Sequence, residues 1–217
     1  MQVFDPKQEF SVIERRLPHW SQAGTITFIT FRTWDSIPTA VIEKWIAERD
    51  AWLVRHGINP TAKNWRLQVT HLGTAAEAEL KRIMSDRWNE HLDDCHGECV
   101  LQRPPLAEIV AKSLRHFDDE RYELTDFVVM PNHVHILAAF PDEAGLLRQC
   151  DSWKHFTATQ INRALQRKGH FWQDDGFDHL VRSVEQFQYL RKYIAENPRR
   201  ARLAPGSYVH YTRELTK

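Results

Sequence analysis

The order of predicted strands and helices along the 217-residue chain indicates a single α+β domain, 1–217, built on an antiparallel sheet. GTITFITFRT (24–33) alternates in the manner of a strand, and YELTDFVVM and HVHILAAF are two apolar runs separated by Pro131-Asn132, which is typical of a hairpin. Helical patterns lie before and after these runs. The helical patterns near 58–103 are not needed to complete such a sheet and its flanking helices, so we expect a helical insertion there.

The chain between the first strand and this insertion is expected to be helical. A helix can begin at Pro38 and end at Gly57, with apolar residues at helical spacing between them. The next sixteen residues are mixed, and we expect a short strand around WRLQV. TAAEAELKRIMSDRWNEHL (74–92) opens with a threonine followed three residues later by a glutamate. This capping-box spacing predicts a second helix.

The remaining elements surround the hairpin. ECVLQ (98–102) is expected to be a short strand, and PPLAEIVAKSLRHFDD (104–119) a helix with proline at its start. A longer helix is expected from Asp142 to Lys168, ended by a glycine. HFWQDDGFDHLVR is predicted to be an aromatic loop or short strand. The last helix is expected over roughly 184–197, between a serine cap and a proline stop.

Composition and charge limit the class of protein. The hydrophobic content of 42% and the charged content of 27% fit an ordinary soluble globular protein, and the N-terminus has no secretory signal. Three cysteines are too few for a disulfide framework, so we expect a reduced, cytoplasmic protein without membrane contact. The net charge is zero, but the window 148–202 holds eleven Lys/Arg against six Asp/Glu. This basic third indicates either one phosphate-binding face or a solvated helix pair.

Two histidines stand one residue apart in the second run of the hairpin. Because strand side chains alternate between faces, His133 and His135 point to the same side, about 6–7 Å apart along the strand. This spacing suits two groups that share a ligand or a metal ion. The alternative is a pair of polar residues on a half-exposed strand.

The last helix offers partners for these histidines. Its apolar stripe would dock on the sheet, and Tyr193 and Asn197 flank that stripe on one side. If the helix covers the histidine face, two imidazoles, an amide oxygen and a phenol come together. Such a set can hold a divalent ion and supply a nucleophile to a phosphodiester. Tyr193 could equally be a packing residue at the flank of the helix, and Tyr189 is a second candidate nucleophile by spacing.

Several residues of the basic third are candidates for DNA contact. Cationic side chains there could bind phosphates, and aromatic side chains after the long helix could stack on unpaired bases. Solvated surface charge and local packing are the respective alternatives. The candidates are Lys154, Arg163, Arg167, Lys168, Trp172 and Arg182, with Phe171 and Phe177 as further aromatic residues.

Five segments together resemble one family. They are LPHWSQAGTITFITFRTWDSIP (17–38), MPNHVHIL (130–137), WKHFTATQINR (153–163), FWQDDGFDHLVR (171–182) and YIAENPRRARL (193–203). In this order they are similar to the REP-associated tyrosine transposases, relatives of the single-tyrosine transposases within the HUH nuclease superfamily. The resemblance covers most of the chain, although the segment near 58–103 is longer than compact members need.

The resemblance implies a fold, a cofactor and a reaction. The fold would be the ferredoxin-like or palm antiparallel sheet with flanking helices of HUH endonucleases, and the cofactor Mg²⁺ or Mn²⁺. His133, His135 and Asn197 resemble the metal ligands, and Tyr193 the nucleophile. The substrate would be single-stranded DNA, often folded as a hairpin or palindrome, which is cleaved through a 5′-phosphotyrosine intermediate by a monomer or homodimer. The alternative is a catalytically silent DNA-hairpin-binding protein with the same fold.

Overall fold

An antiparallel sheet forms the centre of the computed structural model, which describes residues 2–5, 7–8, 11–14, 18–62, 64–83, 95–173 and 177–214. Within the described residues the sheet has five strands in the order β6-β3-β5-β4-β7, and every neighbouring pair is antiparallel. Its strands are β3 (Ile26–Arg32), β4 (Glu123–Val129), β5 (His133–Ala139), β6 (Phe177–Leu180) and β7 (Val209–Thr212). A separate hairpin consists of β1 (Ser11–Glu14) and β2 (Pro18–Ser21).

Helices cover the two faces of this sheet. The helices are α4 (Pro104–Arg115), α5 (Glu143–Ala164) and α6 (Val184–Arg200). Helices α4 and α5 bury Leu114 and Trp153 against Ile136 on one face. Helix α6 buries Leu190 and Ile194 on the other face. The predicted α+β class, with an antiparallel sheet and flanking helices, is confirmed.

The chain divides into two compact units, one of residues 1–36 and 98–217 and one of residues 37–97. The second unit contains α1 (Thr39–Arg55), α2 (Trp65–His71) and α3 (Thr74–Lys81). These helices have an apolar core of their own, formed by Trp52, Leu53, Ile58, Val69 and Leu80. The unit begins before the predicted insertion of 58–103, and the description of the chain as one domain with an insertion stays a prediction.

Two predicted strands are wrong. WRLQV lies in α2, because Trp65 and Val69, four residues apart, both pack on the apolar core of that unit. ECVLQ contains a 3₁₀ turn, Val100–Gln102, which follows Cys99 in the left-handed region at φ 50°. The Leu101 amide donates to the Pro131 carbonyl at 3.1 Å, so the turn is bound to the hairpin bend rather than to a strand.

Other differences concern the ends of elements. The predicted helix over 74–92 is helical to Lys81, and its part from 84 to 92 lies outside the described residues. Helix α5 ends at Ala164, before the predicted Lys168. Helix α6 includes Pro198 and continues to Arg200, three residues beyond the predicted stop. Pro198 has no backbone N–H and therefore removes one hydrogen bond of the helix. Because Pro198 lies two residues before the end of the helix, little of the helix follows this missing bond.

Candidate functional site

Strand β5 directs its two histidines toward the α6 face of the sheet. His133 and His135 alternate with Val134 and Ile136, which belong to the apolar core on the α4–α5 face. Both histidines are buried, and their ring centroids are 4.7 Å apart. Phe28 of the neighbouring strand stacks on the His135 ring at a centroid distance of 5.2 Å. The two rings are therefore held side by side in one buried position.

Neighbouring side chains orient both imidazoles. His133 Nδ1–H donates to Asn132 Oδ1 at 2.8 Å, which leaves the lone pair on Nε2. That Nε2 is buried and has no hydrogen bond of good geometry to any described residue. Thr30 Oγ1 lies 2.8 Å from His135 Nδ1 across the β3–β5 pair. With Nδ1–H as the donor to Thr30, His135 also presents its Nε2 lone pair.

Burial keeps both histidines neutral. Desolvation lowers the pKa of His133 from 6.5 to about 3, although the neighbouring Asn197 amide acts in the opposite direction. The pKa of His135 lies well below 6.5 because of burial, because a protonated His135 and a protonated His133 would repel each other, and because of the charge of Arg200. Neutral imidazoles are the form that coordinates metal ions.

Helix α6 brings Tyr193 and Asn197 onto this face. Tyr193 is 9% exposed, and its hydroxyl lies 3.5 Å from His135 Nε2. Asn197 is fully buried one helical turn later. Tyr189 is 65% exposed and forms no part of the cluster. The structure therefore assembles the four residues that the sequence predicted together, and it favours Tyr193 over Tyr189 by position.

Arg200 completes the surroundings of the tyrosine. Its guanidinium carbon lies 5.2 Å from the centroid of the Tyr193 ring, within the range of a cation–π contact. Arg200 is exposed. Sequence reasoning missed Arg200, Thr30 and Asn132 as parts of this site. Asn132 directly precedes the histidine pair, but only the strand register shows that Thr30 lies opposite His135.

The donor set is suited to a divalent ion. In the described part of the chain no three His, Cys, Asp or Glu side chains cluster in a way that could hold a metal. Two imidazole nitrogens and an amide oxygen can nevertheless bind Mn²⁺ or Mg²⁺ with positions left for phosphate and water. The His133 Nε2 is buried without a hydrogen bond of good geometry, as is the Asn197 Oδ1, and both atoms could bind an ion. The residues present therefore fit the expected metal.

The predicted DNA-contact residues of α5 lie on the other layer of the molecule. Helix α5 packs on the face of the sheet opposite the histidines. Lys154 is partly buried, whereas Arg163 and Lys168 are exposed. Arg167 forms an ion pair with Glu98 at 2.8 Å. Arg182 is exposed between β6 and α6, and its contact with DNA, like that of the others, stays a prediction.

The structure disfavours a base-stacking role for Trp172. Trp172 is 5% exposed and belongs to the apolar core, where it packs against Phe31 at 6.1 Å. Its indole N–H donates to Thr157 Oγ1 at 2.8 Å. Phe171 is buried as well, and the Phe177 side chain lies outside the described residues. Local packing, the alternative to stacking, accounts for Trp172 because its ring faces are covered by protein.

Comparison with known proteins identifies the segment that carries this site. Residues 100–197 match the family model described as IS200-like transposase. The match covers somewhat less than half of the chain, and over these residues the chain is similar to the IS200-like transposases. The segment runs from the 3₁₀ turn to Asn197 and includes both histidines and Tyr193. The resemblance predicted from the ordered motifs is confirmed.

The solved structures and the curated proteins show less similarity to the chain than the family model does. A solved structure of a REP-associated tyrosine transposase bound to a REP hairpin matches with 13% identity and a TM-score of 0.39, covering 82% of this chain and 68% of that chain. No curated protein sequence matches the chain. Among the described residues, no helix combines the length and apolar character that crossing a membrane requires.

Proposed function

We propose that this protein is a metal-dependent endonuclease and strand transferase that cleaves single-stranded DNA at hairpins through Tyr193. The observation that carries the proposal is the position of the Tyr193 hydroxyl, 3.5 Å from His135 Nε2 in a buried cluster with His133 and Asn197. A phenol beside two neutral imidazoles and an amide supplies a nucleophile and metal ligands in one place. The transposase family match over residues 100–197 supports the same reaction class.

The metal ligands in this proposal are His133 Nε2, His135 Nε2 and the side-chain oxygen of Asn197. A bound Mg²⁺ or Mn²⁺ would polarise the scissile phosphodiester and stabilise its developing charge. Asn132 and Thr30 hold the two rings so that both Nε2 lone pairs are available. Arg200, beside the tyrosine ring, is placed to attract the phosphate.

Tyr193 performs the covalent step. Its phenolic oxygen loses its proton to water and forms a bond to phosphorus, while the bond from phosphorus to the 3′ oxygen breaks. The 3′ oxygen leaves and takes up a proton as a free 3′-OH. A 5′-phosphotyrosine link conserves the energy of the phosphodiester, so the same 3′-OH, or another, can attack it and rejoin strands without ATP. The reaction therefore serves transposition or DNA recombination.

Single-stranded hairpin DNA is the proposed substrate, and a REP hairpin is the DNA bound by the similar solved structure. The surplus of Lys and Arg in residues 148–202 supports a nucleic-acid partner. The proposed location is the cytoplasm, and Cys95, Cys99 and Cys150 form no disulfide bond. Both a monomer and a homodimer are compatible with the proposal.

A covalent-adduct assay tests this function. Labelled single-stranded hairpin oligonucleotides with random flanks are incubated with the protein and Mn²⁺ or Mg²⁺, and the products are separated on a denaturing gel. We expect a protein–DNA adduct that disappears with EDTA and with Tyr193→Phe. Tyr189→Phe is the matched control, because this exposed tyrosine lies on the same helix one turn earlier and should leave the adduct intact.

Two other outcomes of this assay would contradict the proposal. Loss of the adduct with Tyr189→Phe and not with Tyr193→Phe would refute the assigned nucleophile. Tight hairpin binding in EDTA without any adduct in either metal would show that the protein is the catalytically silent hairpin binder.

A further inference from the structure

An exposed aromatic pair lies just beyond the end of β3 and has no part in the chemistry proposed above. Trp34 is 48% exposed, and its ring stacks on His170 with a centroid distance of 4.9 Å and an interplanar angle of 27°. His170 is exposed as well. An exposed tryptophan costs free energy in water, so a stacked, exposed pair is a surface suited to a flat ligand.

The backbone holds Trp34 in this position. The Trp34 amide donates to the Phe171 carbonyl at 2.8 Å, and Gln173 Nε2 donates to the Trp34 carbonyl at 2.6 Å. The Gln173 amide donates to the Arg32 carbonyl at 3.0 Å. None of these hydrogen bonds uses the indole ring. The ring is therefore presented on a rigid support, and removing it leaves that support in place.

A polar groove of about 390 Å³ adjoins the pair, with His170 and Gln173 in its wall. Helix α5 lines the opposite wall with Asp151, Lys154 and His155, which share one face of the helix. A lysine ammonium is a donor for phosphate, and an aspartate can accept from an amino group on a base edge. The wall of this groove thus offers groups for both parts of a nucleotide.

The strand register connects this groove with the histidines. Arg32, the last residue of β3, lies opposite His133 in the β3–β5 pair. The Thr33 amide donates to the Asn132 carbonyl at 2.8 Å, and Thr33 also pairs with Trp172. Trp34 follows directly, in the turn after β3. The aromatic pair therefore lies at the end of the sheet where the first histidine begins β5.

We propose that the Trp34–His170 pair stacks one unpaired base of the DNA strand that flanks the hairpin, with Lys154 on the adjoining phosphate. This inference rests on the proposed function, since it takes single-stranded DNA as the ligand of the chain. Stacking tolerates any base because each base has a π-face, so the pair contributes affinity for an unpaired flank without selecting its sequence. A duplex flank, whose bases are already stacked on one another, gains nothing from it.

DNA binding measured in EDTA tests this inference separately from the proposed cleavage, because EDTA removes the divalent metal that cleavage needs. The probe is a fluorescent DNA hairpin with a short oligothymidine flank on its 5′ or its 3′ side, and fluorescence anisotropy gives its affinity for the full chain. Trp34→Ala should weaken binding of one flanked hairpin about 5- to 150-fold, the range for loss of one stacked base. Trp34→Phe should restore most of that affinity. A hairpin without a flank should bind wild type and Trp34→Ala equally.

Abasic substitution locates the stacked base. Each flank nucleotide is replaced in turn by an abasic site. At one position we expect the wild type to lose affinity and Trp34→Ala to lose none further. This is the result of a double-mutant cycle in which the ring and the base interact with each other. Phe156→Ala is the matched control, because Phe156 is a half-exposed aromatic residue on α5 that does not line the groove. It should bind as the wild type does. A thermal unfolding midpoint equal to that of the wild type confirms that Trp34→Ala is folded.

Two results would overturn the inference. Equal affinity of wild type and Trp34→Ala for flanked hairpins would show that the pair only packs locally, and an adduct formed normally by both would leave the proposed function standing. Equal weakening by Phe156→Ala would show a general loss of surface binding instead of a stacking site. Absence of any binding by the wild type to flanked hairpins would refute the DNA ligand itself, and with it the pair's assigned role.

Discussion

Each face of the central sheet buries an apolar cluster, but strand β5 adds two buried histidines on the α6 face. On the α4–α5 face, Val134 and Ile136 of β5 pack with Phe31 and Trp153 in an apolar core. On the α6 face, His133 and His135 occupy the alternate positions. Because successive side chains of a strand point to opposite faces, neighbouring residues of β5 serve either the apolar core or the candidate site.

The difference has an energetic meaning. Apolar burial on the α4–α5 face stabilises the fold at about 25 cal/mol per Å² of area removed from water. Buried polar groups on the α6 face gain nothing comparable, and each costs free energy unless it is hydrogen-bonded. His133 and His135 each have one ring nitrogen bonded, by Asn132 and Thr30 respectively. The α6 face therefore holds two oriented imidazoles within an apolar cluster of its own, at positions where apolar side chains would stabilise the fold more.

Opposite substitutions on the two faces provide the sharpest test of this division. Ile136→Ala should lower the free energy of unfolding by about 2–5 kcal/mol, because it opens a cavity in the core, and should leave Mn²⁺ affinity unchanged. Thr30→Val keeps the volume but removes the hydroxyl beside His135, so it should lower Mn²⁺ affinity about 10- to 100-fold. It should also cost about 1–3 kcal/mol, because the buried His135 Nδ1–H loses its partner. Urea unfolding and calorimetric titration with Mn²⁺ measure the two quantities.

Ile136→Val is the graded control for the core, with an expected cost of about 0.5–1.5 kcal/mol. Equal loss of Mn²⁺ affinity in Ile136→Ala and Thr30→Val would contradict the separation of roles, since the core would then be positioning the site.

A second substitution tests how α6 is held on its face. The Asp126 carboxylate is buried and accepts from Arg191 Nε at 2.9 and 3.1 Å, and Thr212 of β7 also donates to it. Arg191→Ala leaves this carboxylate without its cation and should cost about 2 kcal/mol in urea unfolding. This lies below the usual range for breaking a buried pair, because the Arg191 side chain is partly exposed.

Lys192→Ala is the matched control for Arg191→Ala. Lys192 is the next residue of the helix, is mostly exposed, and meets Glu196 only at 3.9 Å. Its removal should change stability by less than about 0.5 kcal/mol. Similar costs for the two variants would mean that the Asp126–Arg191 pair does not anchor the helix.

The sequence predicted the parts of the fold and site that depend on local pattern. The hairpin followed from two apolar runs and a Pro-Asn bend, and the shared face of His133 and His135 followed from alternation. Helical spacing placed Tyr193 and Asn197 together. The role of each of these residues in the reaction stays a prediction.

The rest depends on contacts that a local pattern does not contain. WRLQV is apolar at spacings that suit a strand or a helix, and packing within residues 37–97 decided for the helix. Strand β7 is a short edge strand with alternate exposed residues, and only its pairing with β4 defines it. Thr30 became part of the site through its register with His135, and Trp172 became a core residue through its bond to Thr157.

The smallest expected effect is a loss of stability at acid pH that comes from the two buried histidines of the α6 face. The folded pKa of His133 is about 3 and that of His135 is well below 6.5, both because of burial, whereas an unfolded histidine titrates near 6.5. The unfolded chain therefore binds protons below pH 6.5 that the folded chain does not bind. The stability contributed by the neutral imidazoles is complete above pH 6.5 and is lost as the pH falls from there toward 3.

Urea unfolding of the metal-free protein in EDTA, at pH 7.5 and pH 5.5, measures this loss. Each buried histidine should contribute about 1 kcal/mol of lost stability between these two values. His133→Gln should remove the share of one histidine from the pH dependence, whatever its own effect on stability. An unaltered dependence in His133→Gln would mean that the buried pair on the α6 face is not the source of the acid sensitivity.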